Sequence, residues 1–131
     1  MSPLRLLLVI AFWLCLAGAY VFAILPGHDA PAAFAWDKYN HMLAFFVVTL
    51  LGRLAYPLLP VWAIAVLMAG FGGAIELSQA IPFIHRDAEW ADWFADCGAV
   101  LAGLVVAWPL VVLANRRRSG HDPLAAGNEP V

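Results

Sequence analysis

Four apolar runs divide the sequence, each bounded by proline, glycine or charge. The first covers about residues 4–25 and stops at Pro26-Gly27. It matches the roughly 20 residues needed to cross a bilayer core. It exceeds the ~7–15 apolar residues of a signal-peptide h-region, so it predicts a retained transmembrane helix although Arg5 precedes it. A polar loop follows, with His28, Asp29 and Pro31, and Trp36 placed for the headgroup level. The second run, residues 38–56, opens at Asp37, which suits a helix N-terminus. Asp37 and His41 share a face that continues through Phe45, Val48 and Gly52. Pro57 and Pro60 bracket a short turn. The third run, residues 61–81, carries Ala65, Ala69, Gly72, Glu76 and Gln79 on one face and stops at Pro82. The fourth, residues 92–114, aligns Asp92, Asp96, Ala99 and Gly103. Small residues on both faces predict that helices three and four pack closely, bringing Glu76 near Asp96. Residues 115–131 are polar, aperiodic and rich in Gly and Pro, the pattern of a disordered tail.

The expected fold is therefore all-α, a four-helix transmembrane bundle in one domain. Composition agrees: 64% of the 131 residues are hydrophobic and 12% charged, against nearer half and a quarter in a soluble domain. A formal net charge of −2 and the lack of a basic patch with interleaved aromatics point away from nucleic acid. Cys15 and Cys97 lie in apolar runs without metal-ligand or redox spacing, and read as small membrane-buried hydrophobes.

Five of the seven basic residues, Arg5, Arg53, Arg116, Arg117 and Arg118, fall on one side of the expected bundle; Lys38 and Arg86 fall on the other. The positive-inside rule then places both termini in the cytoplasm. Tyr39, Trp90 and Trp93 join Trp36 in an outer aromatic belt, and Tyr56 and Trp62 form an inner one. Reporter fusions at Asp29, Pro57, Asp87 and Asn128 should read out, in, out, in. A cytoplasmic signal at Asp87 would overturn the topology.

This arrangement gathers Asp37, Lys38, His41, Glu76, Gln79, Arg86, Asp92 and Asp96 at the outer end. Asp37 and Asp92 are accounted for as charges that complement helix N-termini. Glu76 is not: it lies near a helix C-terminus, where the dipole disfavours an anion, and exposure to lipid would cost about 2–3 kcal/mol. It must face inward and find a partner, or be protonated; Asp96 poses the same problem. His41, Glu76 and Asp96 are the candidates for acid–base chemistry. Asp37, His41, Glu76, Asp92 and Asp96 also offer oxygen ligands and one imidazole for a divalent cation, although a single histidine without a second at HxxxH spacing makes a poor case for a metal. Ser78 has no nucleophile elbow around it.

Asp37-Lys38-x-x-His41, Glu76-x-x-Gln79, Arg86 and Asp92-x-x-x-Asp96 with Gly103 beyond resemble the VanZ-like family of small bacterial membrane proteins, over about residues 36–104. The chain departs from the family pattern at Asp96, usually Asn, and at Ala99, usually Gly. The resemblance implies a protein of about four transmembrane helices, with a link to low-level teicoplanin resistance, and it brings no catalytic mechanism with it; no cofactor is expected beyond the weak case for a divalent cation. It leads to the expectation of a protein that binds or shields a lipid headgroup or cell-wall precursor at the outer leaflet, Arg86 and Lys38 meeting a phosphate. A membrane enzyme acting on a lipid-linked substrate and a structural accessory subunit are the alternatives.

Overall fold

The computed structural model describes residues 2–25, 37–81 and 89–119. The described chain is all-α, with α1 Pro3–Ile24, α2 Asp37–Ala55, α3 Val61–Gln79 and α4 Trp90–Ser119. Ser2 starts α1: its Oγ accepts the Arg5 backbone N–H at 3.3 Å, and Pro3 follows at the first helical position, where its missing N–H costs nothing. Two arginines near the end of α2 serve carbonyls of its last residue and of the turn that follows. Arg53 Nη1 donates to Pro57 O at 2.8 Å, and Arg5 Nε, from α1, donates to Ala55 O at 3.3 Å.

The element boundaries differ from the expected ones mainly at α4. That helix begins at Trp90 and continues to Ser119, so residues 115–119, expected in a disordered tail, are helical. Arginine favours helix, and positive charge suits a helix C-terminus. Residues 120–131 lie outside the described part.

Three described helices are long and apolar enough to cross a membrane: α1, α3 and the Trp90–Leu113 part of α4. Large apolar side chains cover their outward faces, among them Leu14, Trp62, Val66, Leu101 and Val105, all more than half exposed. A face of that kind suits lipid, and it marks the chain as a membrane protein. α2 falls short of the same standard because Asp37, Lys38, Asn40, His41 and Arg53 lie within it. It is nevertheless the helix the others gather on, with α1 and α4 packed against it and α3 beside it. A helix with charged residues near both ends is thus the one its neighbours enclose.

α2 and α4 run parallel in one continuous register. Lys38 lies opposite Asp92, His41 opposite Asp96, and Thr49 against Gly103. A Cβ on Gly103 would stand 2.9 Å from the Phe46 carbonyl oxygen and 3.1 Å from Thr49 Cβ, so glycine sets the approach of the two helices. This corrects the expected pairing of small faces. The Gly103 face of α4 meets α2, while the small face of α3 receives rings: Trp93 and Phe45 lie 3.2 and 3.3 Å from where a Gly72 Cβ would be. Trp93 also leaves the expected outer belt, since its indole N–H donates to Ala69 O at 2.9 Å. A half-buried ring over Gly72 fills space that two close helix backbones would otherwise have to close.

Thr49 is fully buried and its hydroxyl has no hydrogen-bond partner among the described residues. Thr49→Val keeps the shape and removes an unsatisfied polar atom, so it should leave thermal stability in detergent unchanged or raise it. A marked loss would show that the hydroxyl is in use.

Candidate functional site

The end of the molecule where α1 and α3 finish and α2 and α4 begin collects the polar side chains. Glu76, Gln79 and Asp96 are each buried there, at 3%, 4% and 2% exposure. α3 stops at Gln79, two residues before the expected boundary of 81, which places Glu76 in the last helical turn. Its backbone carbonyl accepts the Ala80 N–H at 3.0 Å. Its carboxyl stands at the negative end of the helix dipole, out of water, an environment that opposes a bare charge.

The acids of α4 meet the start of α2. Lys38 Nζ lies 3.1 Å from Asp92 Oδ1, in an ion pair that remains partly exposed. One turn deeper, His41 Nδ1 lies 3.9 Å from Asp96 Oδ2, close enough for charge interaction and too far for a hydrogen bond. Asp96 also interacts electrostatically with Asp92 and Glu76, so the three carboxyls share one region. The backbone N–H of Glu89 donates to the Glu76 carboxyl. Glu76 Oε2 and Asp96 Oδ1 remain without a hydrogen-bond partner among the described residues. Buried carboxyl oxygens are normally satisfied, which makes these two the least explained atoms of the fold.

Gln79 has a structural task beside the ligand contact expected of it. Its Nε2 donates to Ala23 O at 2.9 Å, satisfying a carbonyl of the last turn of α1 and tying that helix to α3. Ser78 Oγ donates to Ala74 O at 2.8 Å, so at the 3.1 Å contact with Tyr20 it is the tyrosine hydroxyl that donates. These two bonds anchor α1 beside the cluster, and neither had a sequence signal beyond the proximity of helix ends. Glu89 was likewise not anticipated, because its part is played by its backbone.

Asp37 opens α2, with its side chain outside the described part, and Arg86 falls outside the described residues altogether. The structure thus brings together Lys38, His41, Glu76, Asp92 and Asp96, with Gln79 at their edge. Among the described residues no three of the His, Cys, Asp and Glu side chains form a group able to hold a metal ion. The arrangement can accept hydrogen bonds from a donor group, or take up and release a proton within a largely dry interior. Comparison with protein families, curated proteins and solved structures finds no match.

Proposed function

We propose that the chain is a VanZ-like, multi-pass protein of the bacterial plasma membrane whose carboxyl-rich end binds or shields a polar group of an envelope lipid or cell-wall precursor. All four helices cross the bilayer, with both termini in the cytoplasm. α2 can do so despite its charges because α1 and α4 cover it, and buried polar groups avoid the cost of facing lipid. The observation that carries the reading is the pair Glu76 and Asp96. Both are buried at the expected outer end, and each keeps one oxygen without a described partner.

The same geometry shifts the expected ligand contact. Lys38 already faces Asp92, so its charge is met within the protein. What the cluster offers is acceptor oxygen, suited to an ammonium, hydroxyl or amide N–H of a headgroup or precursor. The alternative of a membrane enzyme draws support from His41 beside Asp96, a pair suited to moving a proton once a substrate tightens it.

The test expresses wild type, Glu76→Gln and Asp96→Asn in a teicoplanin-sensitive Gram-positive host. Wild type should raise the tolerated teicoplanin concentration several-fold. Glu76→Gln should abolish that gain at an unchanged level of folded protein in the membrane. Asp96→Asn should be the milder change, since it restores the residue usual in the family. Loss of folded protein together with the phenotype would favour the structural-subunit reading. No effect of wild type would overturn the glycopeptide link.

A further inference from the structure

At the opposite end of the helices, an apolar cleft of about 390 Å³ opens between α1, α2 and α3. Phe12, Trp13, Tyr56, Ile64, Leu67 and Phe71 are among its walls. Its volume lies within the ~300–1,000 Å³ of small-molecule sites. Trp13 Nε1 donates to Tyr56 OH at 2.9 Å on its rim, a bond between the two polar side chains of the wall. Two guanidiniums stand beside that rim. Arg5 Nε is on Ala55 O at 3.3 Å, and Arg53 Nη1 is on Tyr56 O at 3.4 Å and Pro57 O at 2.8 Å. Two like charges are therefore held on three consecutive carbonyls, both partly buried. Each engages the backbone through one nitrogen, which leaves further N–H donors. Among the described residues, every acidic side chain with a defined setting lies at the other end: Glu76, Glu89, Asp92 and Asp96. The charge of Arg5 and Arg53 thus has no counter-ion within the described part of the chain.

We infer that this end binds an anionic phospholipid, its phosphate against Arg5 and Arg53 and one acyl chain in the cleft lined by Trp13, Tyr56 and Phe71. The occupant is fixed by three features in combination. The cleft is apolar and lies on a lipid-facing flank, where Trp13 and Leu67 are 56% and 60% exposed. Its mouth is cationic, and planar guanidiniums suit phosphate oxygens. Basic sites between transmembrane helices on the cytoplasmic side recognise anionic headgroups on the same physical grounds. This site is separate from the carboxyl cluster and does not depend on what that cluster binds.

The experiment uses the full chain purified in a neutral detergent. Phosphatidylglycerol should raise its melting temperature and persist as an adduct in native mass spectrometry, in preference to phosphatidylcholine of the same chains. Short-chain phosphatidylglycerol should bind at least several-fold more weakly, because it leaves the cleft unfilled. Inorganic phosphate should give no shift. The double variant Arg5→Gln/Arg53→Gln should lose the preference for the anionic lipid. Those arginines also hold the end of α2, so a second readout leaves them in place. Phosphatidylglycerol with brominated chains should quench tryptophan emission more than brominated phosphatidylcholine, and Trp13→Phe should remove that difference. Equal binding of the two lipids, a shift reproduced by phosphate alone, or a quenching difference between the two lipids that survives Trp13→Phe would each overturn the assignment.

Discussion

Gly103→Ala is expected to lower the stability of the purified protein by about 1–3 kcal/mol, the range for an extra carbon forced into a packed interior. The added Cβ would meet the Phe46 carbonyl oxygen at 2.9 Å, and a backbone atom cannot rotate aside as a side chain can. α2 and α4 would have to separate, and with them the register that sets Lys38 on Asp92 and His41 beside Asp96. Gly103→Leu should not accumulate in folded form. The molecule supplies its own controls: alanine at Gly70 or Gly98 would meet nothing within 4 Å. There the change should be neutral or stabilising by up to ~1 kcal/mol, the helix-propensity gain over glycine. Thermal melting in detergent separates the cases, and a Gly103→Ala protein as stable as Gly98→Ala would refute the close α2–α4 approach.

Glu76→Met is expected to raise stability while removing function. A carboxyl with an unsatisfied oxygen in a dry interior costs about 1–3 kcal/mol, and an apolar side chain of similar length removes that cost. The Glu89 N–H would lose its acceptor, but Glu89 is exposed and its backbone can turn to water or headgroups. A buried residue expected to weaken the fold it sits in is the pattern of a site rather than of an adhesive contact. If Glu76 instead holds the helices together, Glu76→Met will melt earlier than wild type, and the cluster becomes structural.

Much of the fold was legible because long apolar blocks and proline boundaries leave few alternatives. The gathering of Lys38, His41, Glu76, Asp92 and Asp96 followed from hairpin alternation: odd and even helix ends must fall on opposite sides. Which helix packs on which was not legible. Small residues on α3 and α4 show that something approaches closely without naming it. On Gly72 it is the rings of Trp93 and Phe45, and on Gly103 it is the backbone of α2. Counting Trp93 into the outer belt failed for a related reason. A tryptophan near a membrane interface can turn its N–H either to headgroups or to a backbone carbonyl of a neighbouring helix, and Ala69 O lay within reach. The enclosure of α2 was hidden by its own composition, since a polar helix reads as an outer one until its neighbours are known. The role of Gln79 was missed because a side-chain amide serves a helix-end carbonyl as readily as a ligand.

The central claim is that Glu76 and Asp96 form a binding site for a polar envelope group. The most direct measurement is the set of small molecules that co-purify with the full chain, compared between wild type and Glu76→Gln/Asp96→Asn at equal folded yield. Extraction and mass spectrometry should find one lipid or precursor species bearing a hydrogen-bond donor, retained by wild type and lost from the double variant. Anionic phospholipid held at Arg5 and Arg53 should be unchanged between the two. Identical profiles for both proteins would contradict the account.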